Sequence, residues 1–301
     1  LTILSPDRAI EETSSFYGYT PNRTICILFL SLFSVSTIIH VAQAIAYRTW
    51  WWFGTAVLCG ILEILGWSAR LWSSFNPGLK DPFGMQLTCT ILAPTPLLAA
   101  NFVILEKLIQ RLGTEYSRLS PRAYMILFCT CDVISLAVQA FGGGLASSAV
   151  SNGTDPEKGG HIMLIGVAFQ LAVITVYSIL GIEFFARYFM DAPIRIPGPD
   201  RPRAELTKNL KCLIAALAFS TVCLFIRAEY RVIELEDGWG GRIITTEVYF
   251  NVLDGAMITL AIYTVNLSHP GRIFRSEDLR DGGPKYPMKQ SGHVLLPVSE
   301  S

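Results

Sequence analysis

Seven stretches of about 20 mostly apolar residues dominate this chain and leave it few ways to fold. A helix needs about 20 apolar residues to cross a hydrocarbon core about 30 Å thick, because it rises about 1.5 Å per residue. The stretches lie at about 24–46, 49–69, 84–106, 123–148, 162–186, 206–227 and 246–268. In their central parts the formal charges are Glu63, Asp132 and Asp254. Hydrophobic residues make up 51% of the chain and charged residues 16%, against about 25% charged in a soluble protein. The net charge of zero gives no reason to expect a nucleic-acid partner.

Turn-forming residues separate the stretches. Tyr47, Trp50, Trp51 and Trp52 form an interfacial aromatic cluster between the first two. Asn76-Pro77-Gly78, Asp81-Pro82, Ser120-Pro121, Asn152-Gly153, Ile196-Pro197-Gly198-Pro199 and His269-Pro270-Gly271 mark later breaks. Basic residues set the orientation. Lys107, Arg111, Arg118 and Arg122 precede the fourth span, and Arg187, Arg195, Arg201, Arg203, Lys208 and Lys211 lie between the fifth and sixth. Arg272, Arg275, Arg280, Lys285 and Lys289 follow the seventh, on the same side as Arg48. The positive-inside rule places that side in the cytoplasm.

The expected fold is therefore an all-α, polytopic transmembrane bundle of seven helices, N-terminus outside and C-terminus cytoplasmic. Residues 1–23 form an extracellular segment, 24–268 the membrane domain, and 269–301 a cytoplasmic tail whose Gly, Pro, Ser and charge predict disorder. Residues 1–20 contain Asp7, Arg8, Glu11 and Glu12 but no apolar core, so no cleavable signal peptide is expected there. The sequon at Asn152 falls outside and is expected to be glycosylated. That at Asn22 lies close to the membrane, and that at Asn266 falls inside.

A charge at mid-bilayer costs about 2.5–3.5 kcal/mol on insertion scales, so each should face a partner or a wet cavity. Here the polar residues form helical stripes. Glu63, Gly66, Trp67 and Arg70 share one face of the second span; Asp132, Ser135, Gln139 and Gly143 share one of the fourth; Glu247, Asn251 and Asp254 share one of the seventh. Gln170, Tyr177, His40, Gln43 and Asn101 add polar groups on other spans. The expectation is a shared polar interior in which Glu63, Asp132 or Asp254 pairs with a cation or carries a proton. Interhelical hydrogen bonds that only hold the bundle together are the alternative.

If the sixth span continues as a helix, Arg227, Arg231 and Glu234 share a face that can pair with Glu247 or Arg70. A solvated loop leading to Gly238, Trp239, Gly240 and Gly241 is the other reading. Gly142-Gly143-Gly144 permits close helix packing or a hinge. Pro94 and Pro96 predict a kink or unwound turn near Thr95. The seven cysteines fall in apolar stretches, and Cys129-x-Cys131 has no second ligand pair nearby.

Together these features resemble the fungal lipid-translocating exporter family, named for a member that gives resistance to 7-aminocholesterol. The resemblance covers residues 17–274. It rests on Tyr19-Thr20-Pro21, Glu63 through Gly66-Trp67 to Arg70, Leu92-Ala93-Pro94, Asp132 through Gln139 to Gly142-Gly143-Gly144, Arg227 to Glu234, Glu247, Asp254 and His269-Pro270-Gly271-Arg272. It implies seven spans, an outside N-terminus, and transport of amphipathic lipids such as sphingoid long-chain bases, sterol-like toxicants or porphyrins. Membrane lipids and one such amphipathic small molecule are the expected partners. The plasma membrane is the expected location, with the vacuolar and endoplasmic reticulum membranes as alternatives.

No phosphate-binding G-x-x-x-x-G-K-[ST] motif is present, so ATP hydrolysis by this chain is not expected. A seven-span receptor or lipid-stress sensor is the competing class. It lacks support from an Asp/Glu-Arg-Tyr triplet after the third span or an Asn-Pro-x-x-Tyr in the seventh, which also holds no lysine for retinal. An enzyme is not expected, nor a cofactor or metal, because His40, His161, His269 and His293 lie on different segments.

Overall fold

The structure is a computed structural model that describes residues 17–195, 205–238 and 241–280. Every regular element among them is helical, and seven helices are long and apolar enough to cross a membrane. The chain is thus an integral membrane protein of seven spans. The spans are α1 (Arg23–Ala46), α2 (Trp50–Ser73), α3 (Lys80–Leu112), α4 (Pro121–Ser151), α5 (Glu157–Met190), α6 (Lys208–Glu236) and α7, which begins at Glu247 and ends with Met257–Leu267. A short α8 follows at Pro270–Arg280.

Local chemistry fixes several helix starts. The Asn22 side chain accepts the backbone N–H groups of Thr24 and Ile25, which have no partner inside α1. The Thr207 hydroxyl accepts from Leu210 N–H at the start of α6. Asn22 is therefore occupied as a cap, and Asn266 is buried with its amide on Ser36 Oγ at 2.6 Å.

α4 and α5 make the most extensive pair, followed by α2 with the first half of α3. Small residues let the first pair close. A Cβ on Gly142 would stand 2.6 Å from Met163 N, and one on Gly159 would stand 2.3 Å from Ala146 N. Outward-facing Ile38, Phe141, Ile165 and Ile182 are exposed, as lipid-facing positions are, since acyl chains are as apolar as these side chains.

The structure changes several sequence-based boundaries. α3, α5 and α6 run past 106, 186 and 227, where Arg111 pairs with Asp278, Arg187 with Glu183, and Arg231 with Glu234 and Asp254. α6 continues through Arg227, Arg231 and Glu234, all buried. The segment after Leu267, for which composition predicts disorder, is helical as far as Arg280. Ile273 packs into the core, Arg111 reaches Asp278 at 2.7 Å, and buried Glu277 accepts from Thr207 and Asn209 at 2.8 and 3.2 Å. The break at 196–199, Trp239, Gly240, and the expected termini at 1–16 and 281–301 lie outside the described residues.

Candidate functional site

The site begins with a break in α3. Its two helical pieces, Lys80–Leu92 and Pro94–Leu112, meet at Ala93. Pro94 has no N–H, so the carbonyl of Thr90, four residues earlier, loses its helical donor. α6 replaces it: Arg227 Nη2 donates to Thr90 O, and Arg231 Nη2 donates to Thr90 Oγ1 at 3.1 Å.

Both guanidiniums also engage Asp254 of α7. Arg227 Nε lies 2.7 Å from Asp254 Oδ1. Arg231 donates from Nε to Oδ1 at 3.1 Å and from Nη2 to Oδ2 at 2.9 Å, a two-pronged contact suited to the planar guanidinium. Arg231 Nη1 donates to Glu234 Oε2 at 2.7 Å, and Tyr230 Oη donates to Glu234 Oε1 at 2.8 Å. Asp254 sits in a π-helical turn, Phe250–Ala256, a widened geometry that recurs at functional sites. The next residue must be glycine, since a Cβ on Gly255 would stand 2.7 Å from Trp67 Cζ2.

Two arginines and two carboxylates balance one another in this group. Glu63 of α2 is the carboxylate left over. It is 0% exposed, and neither of its oxygens has a hydrogen-bond partner. The Trp67 indole stands beside it without closing a hydrogen bond, and Arg227, Arg231 and Asp254 are its charged neighbours.

Arg70 heads a second network nearer the N-terminal segment. Its Nη2 donates to Tyr19 Oη at 2.7 Å and lies 3.4 Å from Glu247 Oε1. Glu247 Oε1 also accepts the Asn22 backbone N–H at 2.8 Å, and the Phe250 ring lies 4.4 Å from the guanidinium carbon. Burial pushes the Tyr17 phenol up to about 12, against the pull of Arg70. Burial raises Tyr19 as well. The sequence offered Glu247 or Arg70 as partners for the Arg227–Arg231–Glu234 face; the structure pairs those two with each other and turns the face to Asp254.

The third cluster joins α3, α4 and α5. Gln170 Nε2 donates to Asp132 Oδ1 at 3.0 Å and to Thr95 Oγ1 at 3.1 Å. Gln139 Nε2 donates to Gln170 Oε1 at 3.1 Å and to Ser135 Oγ at 2.8 Å. Asp132 Oδ2 is buried and has no hydrogen-bond partner. Asn101 sits elsewhere, donating to Ser220 and Thr221 of α6 at 3.2 and 3.3 Å, while Tyr177 Oη donates to the Asn101 carbonyl.

The three acidic stripes fall into separate hydrogen-bonded groups. Glu63 and Asp254 are neighbours, but Asp132 faces α5, and among the described residues no side-chain hydrogen bond links it to Asp254. Thr90, Thr95 and Tyr230 complete these clusters and were not among the sequence candidates. The four-residue spacing from Thr90 to Pro94 was the available signal for the first; nothing in the sequence marked Tyr230.

Two cavities border the clusters. One of about 440 Å³ runs between the first half of α3 and the second half of α4, from Lys80 and Asp81 past Gly143, Gly144 and Met163 to Gln139. The other, about 350 Å³, lies between α5 and α6 and is lined by Asp155, Glu157, His161, Glu234, Glu236 and Asp237. Among the described residues no group of three His, Cys, Asp or Glu is placed to hold a metal ion.

The family model described as RTA1 like protein matches residues 56–277. The chain belongs to the RTA1-like family. That match takes in Glu63, Asp132, Arg227, Arg231 and Asp254, and leaves Tyr17, Tyr19 and Asn22 of the Arg70 network outside it. The chain is 31% identical over 297 residues to the sphingoid long-chain base transporter RSB1 of Saccharomyces cerevisiae, covering 90% of this chain and 77% of that protein. It is 24% identical over 277 residues to a lipid-translocating exporter-like protein RTA1 of Leptosphaeria maculans, covering 85% and 51%. It is also 24% identical over 279 residues to protein RTA1 of Saccharomyces cerevisiae, covering 84% of each. No solved structure matches this RTA1-like chain significantly.

Proposed function

We propose that this chain exports amphipathic lipids of the sphingoid long-chain base class, and that the groove between α3 and α4 is their path. The observation that carries the reading is the groove itself. Its wall of Ile91, Leu92, Ala140, Gly143 and Gly144 suits an alkyl chain. Polar groups stand at its two ends, Lys80 and Asp81 at the mouth and Gln139 at the base, and Gln139 connects through Gln170 to Asp132. A lipid ammonium that reached Asp132 would find a buried, unbonded carboxylate oxygen to pair with. Membership of the RTA1-like family and the names of the relatives support the same class.

The orientation in this reading follows the basic residues, with the N-terminus and Asn152 outside, in the plasma membrane. The chain moves lipid without a chemical step on it.

The test is release of labelled sphingoid base from fungal cells that carry or lack the protein, with Gly144→Leu to fill the groove. A Cβ at Gly144 meets nothing within 4 Å, so that variant should fold. Faster release with the intact chain and loss of the gain with Gly144→Leu supports the reading. Equal release in all strains, with a changed transcriptional stress response, favours a lipid-stress sensor instead.

A further inference from the structure

We infer that Glu63 is a proton-carrying group whose ionisation moves Arg227 and thereby loosens one wall of the lipid groove. This rests on the export reading and adds its coupling ion.

The charge balance points to it. Arg227, Arg231, Asp254 and Glu234 sum to zero and pair at 2.7 to 2.9 Å, with the Arg227 Nε contact to Asp254 an ion pair that closes no hydrogen bond. Glu63 is a fifth group in the same buried cluster with no hydrogen bond of its own. An extra negative charge there has no cation to itself, so the arrangement seen is the one that a protonated Glu63 permits. The titratable and charged groups that face it are Cys59 on its own helix, Cys89 of α3, Arg227 and Arg231 of α6, and Asp254 of α7. Among these only the two arginines can answer its charge, and Arg231 is already held by both oxygens of Asp254 and by Glu234. Arg227 is the one free to change partners.

The step is a proton exchange. The Glu63 O–H bond breaks and the proton leaves to water. The new carboxylate draws Arg227 from Asp254 Oδ1, which keeps the fork of Arg231. The cluster meets water through Glu234, which bonds Arg231 and lines the acidic 350 Å³ cavity; Glu63 itself lines neither cavity. Arg227 is also the donor to Thr90 O at the α3 break. Its departure frees that carbonyl and leaves Arg231 on Thr90 Oγ1 as the remaining tie from α6 to the piece Lys80–Leu92, whose Thr88, Ile91 and Leu92 form part of the groove. One proton thus controls one of the two α6 ties to the groove wall.

The test uses the full chain in two preparations. In lipid nanodiscs, infrared difference spectra between acid and alkaline buffer should show a protonated carboxyl band that disappears on alkalinisation. The band should be absent from Glu63→Gln and shifted in Glu63→Asp. In liposomes loaded with labelled sphingoid base, an imposed pH gradient should raise release above the rate without one. The ratio should fall to one in Glu63→Gln and recover in Glu63→Asp. No Glu63-dependent band, or a gradient response retained by Glu63→Gln, overturns the inference. A chain that releases no lipid under any condition defeats the export reading, while the band still decides on Glu63.

Discussion

Arg227 of α6 donates to the carbonyl oxygen of Thr90, the backbone group that Pro94 leaves without a helical partner. A kink in one span is thereby tied to the buried charges of two others. Arg227→Leu removes that donor and one of the two cations on Asp254, and breaking a buried pair on one side costs about 3–5 kcal/mol. Pro94→Ala returns an N–H to Thr90, so the double variant should recover part of the loss. Thermal unfolding of the purified proteins checks this. Equal melting of the single and double variants would show that the carbonyl is not what Arg227 serves.

Gln170 is the hub of the third cluster, with bonds to Asp132, Thr95 and Gln139. Gln170→Leu removes the partner of Asp132 Oδ1 and Thr95 Oγ1 and one of the two partners of Gln139 Nε2, and a buried group left unsatisfied costs about 1–3 kcal/mol. It should destabilise the chain more than Asn101→Leu, whose amide leaves only two hydroxyls of α6. Denaturation in detergent ranks the two.

Tyr17 gives a pH signature outside the membrane. Its hydroxyl bonds Ser73 Oγ at 3.2 Å, and burial lifts the phenol from 10.0 to about 12. The folded state keeps this proton after the unfolded state has lost it. Stability from this group is therefore complete below pH 10 and is lost as pH rises toward 12. Melting temperature against pH should fall across that window, and Tyr17→Phe should flatten the fall. An unchanged slope would place the alkaline loss elsewhere.

The seven spans were legible because hydropathy over 20 residues is a property of one helix alone. Their ends were less so. Arg227, Arg231 and Glu234 read locally either as a continued helix with one paired face or as a solvated loop, and Asp254 and Thr90, on other helices, make them a buried helical turn. The stripes were also readable, since spacing fixes which side chains share a face. Spacing does not fix the neighbour that the face meets, so Asp132 was grouped with Glu63 and Asp254 although it turns to Gln170. Pro94 announced a break; its partner lies 137 residues from Thr90 along the chain.

Topology has a direct check at Asn152, exposed in the turn between α4 and α5. With that turn outside, the protein from fungal membranes should lose mass on treatment with a peptide N-glycosidase, and Asn152→Gln should abolish the shift. A shift that survives Asn152→Gln, or is absent from the intact chain, would remove this support for the orientation.

Photolabelling tests the central claim most directly. A sphingoid base with a diazirine in its alkyl chain is photolysed with the protein in native membranes, and labelled peptides are mapped by mass spectrometry. Labels are expected at Thr88, Ile91 and Leu92 of α3, at Ala140, Gly143, Gly144, Ala146 and Ser147 of α4 and at Met163, which line the groove. Gly144→Leu should remove them. Labels spread over the outward faces at Ile38, Ile165 and Ile182, in the pattern of a bulk phospholipid probe, would contradict it.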